Sequence, residues 1–326
     1  MPRGMMLAAG RGTRLGPLTE TLPKPLLLVA NTPVMAHGLA CLRRLGITEI
    51  CANVCYRGEQ IIARFDDDDR FCLNWLYEHE ASGTAGGMKG MQRFLDGDRV
   101  VIIAGDALLD IDLVPVYAAH CANGAFITLA TVTVPDPSCY GVVVTDTAGR
   151  IQRFQEKPAP GTEISRQANT GIYIFEPEIF DLIPPGAFCD FAMNVFPEVL
   201  RRGLPFYAVP VEGYWTDIGN PGDYLQANLD FLAGRIRIEG SGTRVGDNLI
   251  GEGTITAGSR LSRCVVGAGA VLPAGCELTE CVVWPGVELP EPTGLTSAVI
   301  TPHGSFRVEG RTAVPVDPVP ATTLLT

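Results

Sequence analysis

The sequence lacks several features that mark common classes of protein. No apolar run approaches the roughly 20 residues that a membrane-spanning helix needs. The ten cysteines include no Cys-x-x-Cys pair, so the sequence predicts neither a zinc site nor a thiol redox motif. No signal peptide is evident, and ten free thiols suit a reducing compartment, so we expect a cytoplasmic protein without a membrane partner.

Basic residues are scarce as well. The 25 lysines and arginines face 36 aspartates and glutamates, which gives a net charge of −11. A surface this acidic does not favour the phosphate backbone of nucleic acids or an anionic membrane, so neither is an expected partner. Residues 1–48 are the exception, because they hold six basic residues and a single acid, Glu20. This local excess suggests a site for an anion.

The four histidines are isolated, and none has a nucleophile near it in sequence. His37 is expected on the surface of a helix. An acyltransferase built on a β-solenoid would need a placed catalytic histidine. The repeat region described below contains none before His303, which argues against that class.

The first 135 residues alternate short apolar runs with helical patterns. Strands are predicted at Met5–Ala9, Ile50–Val54, Leu73–Tyr77 and Val100–Ala104. Helices are predicted at Pro33–Leu45, Gly58–Phe65 and Ala85–Leu95. This alternation indicates a Rossmann-like α/β fold, with a parallel sheet that binds ligands beyond the carboxyl ends of its strands.

Residues 140–220 favour antiparallel strands that complete a mixed sheet. These strands are expected at Val142–Thr145, Ile151–Phe154, Ile172–Phe175 and Phe206–Val209. Helices are expected at Ala192–Arg201 and Pro221–Leu232.

From about residue 238 the apolar residues recur in steps of five and six, which makes a three-coil repeat of about 17 residues. The repeating positions are Ile250, Ile255, Leu261, Val266, Leu272, Leu278, Val283, Leu289, Leu295 and Ile300. Three apolar corners in each coil predict a triangular β-solenoid, which we expect to be left-handed. No α-helical period fits the pattern.

A glycine loop, GRGTRL at Gly10–Leu15, follows the first predicted strand. Glycine backbone N–H groups can approach a phosphate closely, and Thr13 and Arg14 add donors. A dinucleotide fingerprint needs glycine in place of Leu15, and the Gly-Lys-Ser/Thr of a Walker A loop is absent, so both common alternatives fail. Further on, two prolines stiffen the backbone around Lys24, which makes it a well-held charge for a triphosphate.

The string GRGTRLGPLT followed by PKP resembles the sugar-1-phosphate nucleotidyltransferases, or NDP-sugar pyrophosphorylases. Matching strings continue in order through residue 234, about 70% of the chain. They are GTAG at 83–86, GD at 105–106, YGV at 140–142, FQEKP at 154–158, NTG at 169–171 and WTDIG at 215–219. The resemblance implies a catalytic domain at 1–234, a short left-handed β-helix at 235–304 and a C-terminal tail at 305–326.

In this family a sugar-phosphate oxygen attacks the α-phosphorus of a nucleoside triphosphate while pyrophosphate leaves. Mg²⁺ suits such a reaction, and it usually takes one or two carboxylates plus phosphate oxygens. By resemblance, Asp106 and Asp217 are the metal ligands. Arg14 would hold the β- and γ-phosphates and Lys24 the α-phosphate region, with Lys157 as the fifth catalytic residue. The acidic run at 66–69 is expected to be solvated surface.

The resemblance also implies two sets of binding residues. The nucleotide would contact Leu7, Ala8, Ala9, Gly10, Gly12, Thr13, Arg14, Lys24, Gly83, Thr84, Ala85 and Asp106. The sugar phosphate would contact Tyr140, Gly141, Glu156, Lys157 and Asn169. Related proteins often carry an acid where this chain has Asn194, which bears on the sugar pocket and the exact substrate.

Strings at 31–37 and 105–112 look most like those of mannose-1-phosphate guanylyltransferases, so GTP and mannose 1-phosphate are the expected substrates. Thymidylyl- or uridylyltransferases acting on glucose 1-phosphate are the alternative. A non-catalytic sensor of sugar nucleotides is a third reading. It should have lost some of the five catalytic residues, and all five are present. The β-helix could also join subunits in a homo-oligomer.

Overall fold

The computed structural model describes residues 2–316. Its strands are β1 (Arg3–Ala8), β2 (Leu28–Val29), β3 (Thr32–Pro33), β4 (Glu49–Val54), β5 (Cys72–Tyr77), β6 (Val100–Ala104), β7 (Ala107–Ile111), β8 (Ile127–Thr133), β9 (Val142–Thr145), β10 (Ile151–Gln155), β11 (Gln167–Phe175), β12 (Phe206–Pro210), β13 (Gly213–Asp217), β14 (Thr243–Val245), β15 (Asn248–Ile250), β16 (Arg260–Ser262), β17 (Val265–Val266), β18 (Glu277–Thr279), β19 (Val282–Val283), β20 (Gly294–Thr296), β21 (Ala298–Thr301), β22 (Gly304–Glu309) and β23 (Thr312–Pro315).

The α-helices are α1 (Val34–Arg44), α2 (Gly58–Phe65), α3 (Thr84–Gly90), α4 (Gln92–Leu95), α5 (Val114–Ala122), α6 (Phe196–Arg201) and α7 (Pro221–Leu232). Short 3-10 helices cover Thr13–Thr19, Lys24–Leu26 and Pro177–Leu182, and a π-helical turn covers Phe191–Val195. The helix predicted at Ala85–Leu95 is therefore two helices. None of the helices within residues 2–316 is long and apolar enough to cross a membrane.

The chain divides into two compact units. The first contains residues 2–11, Leu22–Leu27 and Val34–Asp217. The second contains Gly12–Thr21, Leu28–Pro33 and residues 218–316. Helix α7 thus belongs to the second unit, although its sequence lies before the predicted boundary at residue 234.

A nine-stranded mixed sheet forms the centre of the first unit. Strands β5, β4, β1 and β6 are parallel neighbours, as the alternation of strands and helices predicts. β11 runs antiparallel to β6 and β8, and β12 lies parallel to β8 at that edge. β9 and β10 pair as an antiparallel ribbon beside the start of β11. The structure therefore confirms an α/β fold with a mixed sheet.

Two apolar layers cover this sheet, one on each face. Successive strand residues point to opposite faces, so Met5 packs with Met88 and Phe196 while Met6 packs with Leu39 of α1. His37 on α1 is buried, with 4% of its surface exposed, so its expected place on the helix surface is wrong. The side of α1 that carries His37 therefore faces the core.

Strand β11 changes partners along its length, and Gly171 makes the change possible. The register of β11 against β8 shifts between Asn169 and Tyr173. Gly171 has a φ of +77°, and a Cβ there would lie 2.8 Å from the Cβ of Ala104. Only glycine tolerates both this conformation and this close approach to β6.

The second unit contains parallel ladders spaced by the 17-residue repeat. β15, β17, β19 and β21 form one ladder, and β16, β18 and β20 form another. Single bridges from Ile255 to Val271 and from Val271 to Glu288 mark a third line of pairing. Leu272 and Leu278 are buried as expected, but Ile255 is 56% exposed, so its assignment as an inward corner is wrong.

Residues after the repeat continue the first ladder. β22 pairs antiparallel with β21, and β23 pairs antiparallel with β22. The first part of the predicted tail is therefore a β-ribbon, and residues 317–326 lie outside the described residues.

Candidate active site

A cleft of about 280 Å³ lies in the first unit, at the carboxyl ends of β1, β4 and β6. β1 and β6 are parallel and in register, with Leu7 opposite Ala104, so both strands end at one edge of the sheet. The N–H of Gly105 donates to the carbonyl of Leu7 over 2.8 Å and holds the two ends together. The cleft is lined by Leu7, Ala9, Gly10, Asn53, Ala81, Gly83, Thr84, Ala104, Asp106, Gly171, Tyr173 and Asp190.

Asp106 and Asp217 meet beside this cleft, although 110 residues separate them in sequence. β7 and β13 pair antiparallel with Asp217 opposite Ala107, which brings the second carboxylate next to the first. The Nζ of Lys24 donates to Asp106 Oδ2 over 2.8 Å and to Asp217 Oδ1 over 2.6 Å. Three of the five predicted catalytic residues therefore form one ionic cluster.

Lys24 is buried within this cluster, with 5% of its side chain exposed. Burial by itself would lower the pKa of Lys24, but the carboxylates of Asp106 and Asp217 outweigh burial and raise the pKa above its ordinary value. The ammonium is therefore fixed in its charged form. Its position shows that the two carboxylates are arranged to share a cation.

The predicted sugar-phosphate residues form a second cluster. The N–H of Lys157 donates to the carbonyl of Tyr140 over 3.1 Å, and the N–H of Asn169 donates to the carbonyl of Gly141 over 2.8 Å. A Cβ on Gly141 would lie 2.7 Å from Glu156 Oε2, so only glycine leaves room for that carboxylate. The sequence therefore predicted five residues that do lie together.

Two features of this second cluster are typical of binding sites. Lys157 has a φ of +40°, a conformation that costs free energy in residues other than glycine. Burial raises the pKa of Glu156, the ammonium of Lys157 lowers it, and Asp190 raises it again, with a net rise above the ordinary value. A carboxyl held in this way accepts hydrogen bonds from hydroxyl groups with little competition from water.

Three polar residues of the cleft were not predicted from the sequence. Asn169 Nδ2 donates to the hydroxyl of Tyr173 over 2.9 Å, and this links the sugar-phosphate cluster to the cleft. Burial is the main cause that raises the pKa of Tyr173, so its hydroxyl stays protonated. Asn53 and Asp190 also line the cleft, and Asn53 Nδ2 donates to Glu78 Oε1 over 2.7 Å. Only Asp190 had a sequence signal, as a possible helix cap.

The predicted nucleotide residues are divided between the two units. Leu7, Ala9, Gly10, Gly83 and Thr84 line the cleft, whereas Ala8 and Ala85 are buried behind it. Gly12, Thr13 and Arg14 belong to the second unit. There Gly12 precedes the 3-10 helix Thr13–Thr19 with a φ of +67°, and its carbonyl accepts a hydrogen bond from the Thr19 hydroxyl over 3.0 Å.

The mixed sheet and the cleft at the ends of its parallel strands define an α/β nucleotidyltransferase fold. The chain belongs to the nucleotidyl transferase family, because the family model of that description matches residues 3–234. A crystal structure from Bacillus anthracis, of a protein assigned as a glucose-1-phosphate thymidylyltransferase, superposes with a TM-score of 0.65 at 25% identity. That match covers 73% of this chain and 98% of the other.

Curated relatives act on two different sugar phosphates. A UTP–glucose-1-phosphate uridylyltransferase of Synechocystis is 43% identical over 250 residues, which is 72% of this chain. The alignment spans only 64% of that relative's length. A mannose-1-phosphate guanylyltransferase of Mycobacterium tuberculosis is 33% identical over 272 residues, which cover 82% of this chain and 75% of the relative. A Kluyveromyces lactis mannose-1-phosphate guanyltransferase is 32% identical over 80% of this chain and 73% of its own length.

Proposed function

We propose that the protein transfers a nucleoside monophosphate from a nucleoside triphosphate to a sugar 1-phosphate. A phosphate oxygen of the sugar phosphate forms a bond to the α-phosphorus, the bond from that phosphorus to the β-phosphate oxygen breaks, and pyrophosphate leaves. The products are a nucleoside diphosphate sugar and pyrophosphate. The observation that carries the proposal is the cluster of Lys24, Asp106 and Asp217 beside a cleft of the family's fold.

Asp106 and Asp217 would hold Mg²⁺ for this reaction. Their oxygens lie 2.8 Å and 2.6 Å from a single cation, the Lys24 ammonium, so the pair already converges on one positive charge. No group of three or more acidic, histidine or cysteine side chains suited to a metal is found within residues 2–316. Two carboxylates are nonetheless enough, because Mg²⁺ commonly completes its shell with phosphate oxygens and water. When bound, the ion would neutralise charge that develops on the phosphates.

The remaining residues bind and orient the two anions. Glycine backbone groups at Gly10 and Gly83 let the nucleotide approach the strand ends, and Arg14 is assigned to the β- and γ-phosphates. Lys157 would bind the phosphate group of the sugar 1-phosphate, while Glu156 and Asn169 would form hydrogen bonds with the sugar hydroxyls. Holding both anions in line and neutralising their charge together supply most of the catalysis in phosphoryl transfer.

Lys24→Met should lower the melting temperature by a few degrees and make the protein more responsive to Mg²⁺. Removal of the ammonium takes away the cation that the two carboxylates share. We expect a cost of about 2 kcal/mol, less than for a fully buried pair because both carboxylates are partly exposed. A divalent ion can replace the lost charge. Melting curves with and without millimolar Mg²⁺ measure both effects.

Lys89→Met is the control, because Lys89 is a half-buried lysine that donates to the carbonyl of Phe180 rather than to a carboxylate. It should show no larger response to Mg²⁺ than the wild type. Equal Mg²⁺ shifts in wild type, Lys24→Met and Lys89→Met would show that this ion does not bind between the two aspartates.

For the substrates, we propose GTP and mannose 1-phosphate, which the strings at 31–37 and 105–112 favour. The 43% identity to a uridylyltransferase favours UTP and glucose 1-phosphate as a second candidate. Pyrophosphate release should be measured over a grid of nucleoside triphosphates and sugar 1-phosphates. We expect the highest kcat/KM for GTP with mannose 1-phosphate. A tenfold preference for UTP or dTTP with glucose 1-phosphate would contradict that pair and leave the reaction class intact, whereas no turnover with any pair would contradict the class.

We also propose that residues 235–304 form a short left-handed β-helix, with the catalytic domain at 1–234. The parallel ladders and their 17-residue spacing support the β-helix. A contact between subunits through this segment stays a prediction, as does the cytoplasmic location.

A further inference from the structure

We propose that Thr84 is a positioning residue. Its side chain lies in a segment on the nucleotide side of the cleft and holds in place a second segment, on the sugar side. The inference rests on the proposed function and deepens it. It concerns two segments of the first unit, the nucleotide-side loop, Ser82–Gly86, and the sugar-side segment, Cys189–Phe191. Through the contacts between them, Thr84 would set the affinity for the sugar 1-phosphate.

Backbone hydrogen bonds join the two segments, although about 100 residues separate them. The N–H of Cys189 donates to the carbonyl of Ser82 over 2.9 Å. The carbonyl of Cys189 accepts from the N–H groups of Ala85 and Gly86, over 3.0 and 2.9 Å. A Cβ on Gly83, which has a φ of +84°, would lie 2.3 Å from that same carbonyl oxygen. The segments are therefore too close to admit a side chain at this point.

The Thr84 hydroxyl completes the junction with both of its hydrogen-bonding functions. It donates to Asp190 Oδ2 over 2.9 Å and accepts from the N–H of Phe191 over 2.9 Å. The other oxygen of Asp190 accepts from the N–H groups of Ala192 and Met193, over 2.9 and 3.1 Å. The carboxylate is therefore held from two directions, and Thr84 supplies the only side-chain donor among these contacts.

The fixed carboxylate lies on the side of the cleft where we place the sugar. Asp190 lines the cleft together with Tyr173, whose hydroxyl accepts from Asn169, one of the predicted sugar ligands. The negative charge of Asp190 is also felt at Glu156, a second predicted sugar ligand. Asn194 supports the same segment, because its Oδ1 accepts from the N–H of Asp190 over 2.8 Å. An amide oxygen performs this task as a carboxylate oxygen would.

Loss of the Thr84 hydroxyl should therefore affect binding of the sugar phosphate more than turnover. Thr84→Val keeps the shape of the side chain but can neither donate to Asp190 nor accept from Phe191. Lys24, Asp106 and Asp217 are untouched. We expect KM for the sugar 1-phosphate to rise roughly tenfold, the effect of one hydrogen bond to a charged group, while kcat changes less than threefold. Thr84→Ser should restore KM to within about twofold of the wild type.

Thr128→Val is the control. Thr128 is fully buried and its hydroxyl lies 2.8 Å from His120 Nδ1, so the variant also loses one buried hydrogen bond, but at a residue that does not line the cleft. It should lower the melting temperature without a change in KM. If Thr84→Val melts more than about 5 °C below the wild type, Thr84→Ala, which leaves room for water, replaces it in the same comparison.

The kinetics are measured with the substrate pair that the wild type turns over best. A wild type that is active, with KM for the sugar 1-phosphate unchanged in Thr84→Val and Thr84→Ala, would overturn this inference alone. A rise in KM that Thr84→Ser does not correct, or that Thr128→Val reproduces, would assign the effect to general destabilisation and also overturn it. A wild type without activity on any pair would overturn the proposed function, and the inference with it.

Discussion

Asp106→Asn and Asp217→Asn are each expected to lower kcat by about 10²–10³-fold, which corresponds to roughly 3–4 kcal/mol of lost transition-state stabilisation. An amide has the size of a carboxylate but not its negative charge. The two side chains converge on one cation, so loss of either charge weakens the same site. Both residues are partly exposed, and the fold should change little.

Asp110→Asn is the matched control, because Asp110 lies on β7, the strand that directly follows Asp106, four residues further along the chain. Its carboxylate lies 3.6 Å from an Arg44 nitrogen rather than beside Lys24. This variant should lose less than tenfold in kcat. Turnover is measured with saturating Mg²⁺ and both substrates. If Asp106→Asn and Asp217→Asn each keep more than about a tenth of the wild-type kcat, these aspartates do not hold the catalytic metal.

Leu272→Asp is expected to destabilise the second unit by several kcal/mol. Leu272 is 1% exposed, and other apolar positions of the repeat, such as Leu278 and Val283, are equally buried. An aspartate there is an uncompensated buried charge, or it must be protonated at a similar cost. The thermal unfolding transition should move down by several degrees or more, and protease digestion of residues 235–304 should become faster.

Ile255→Asp serves as the control for this variant. Ile255 belongs to the same repeat and follows the same apolar spacing, but 56% of its surface is exposed. A charge there should change the free energy of unfolding by less than about 1 kcal/mol. If Leu272→Asp melts at the wild-type temperature, or if both variants fall equally, the repeat does not enclose an apolar interior.

The sequence predicts the strands whose side chains are apolar on both faces. β1, β4 and β6 lie between two helical layers, so each appears as a short apolar run bounded by polar residues. β8 escaped prediction because its buried side chains include two threonines, Thr128 and Thr131. Each is satisfied by a partner on another element, His120 of α5 or Gln167 of β11, which the pattern within the strand does not show.

Site residues were predictable to the extent that they belong to contiguous motifs. GTAG and FQEKP identify their own loops: Gly83 and Thr84 line the cleft, and Glu156 and Lys157 lie side by side in the sugar-phosphate cluster. The ionic cluster depends instead on the pairing of β7 with β13, and its Lys24 contact was not expected, since that lysine was assigned to a phosphate. Tyr173 was hidden within a buried strand, and only the folded structure shows that it lines the cleft with its hydroxyl bonded to Asn169.

The pairing of β7 with β13 makes the position of the Asp217 carboxylate sensitive to any change in the length of β13. In the paired ribbon Asp217 lies opposite Ala107 and Thr216 opposite Leu108. Side chains alternate between faces, so a single residue inserted within Gly213–Asp217 would turn Asp217 away and present its neighbour to Lys24. Loops within the 101 residues between the two strands can vary in length without that effect. The spacing within these five residues is instead fixed by the alternation of side chains along the strand.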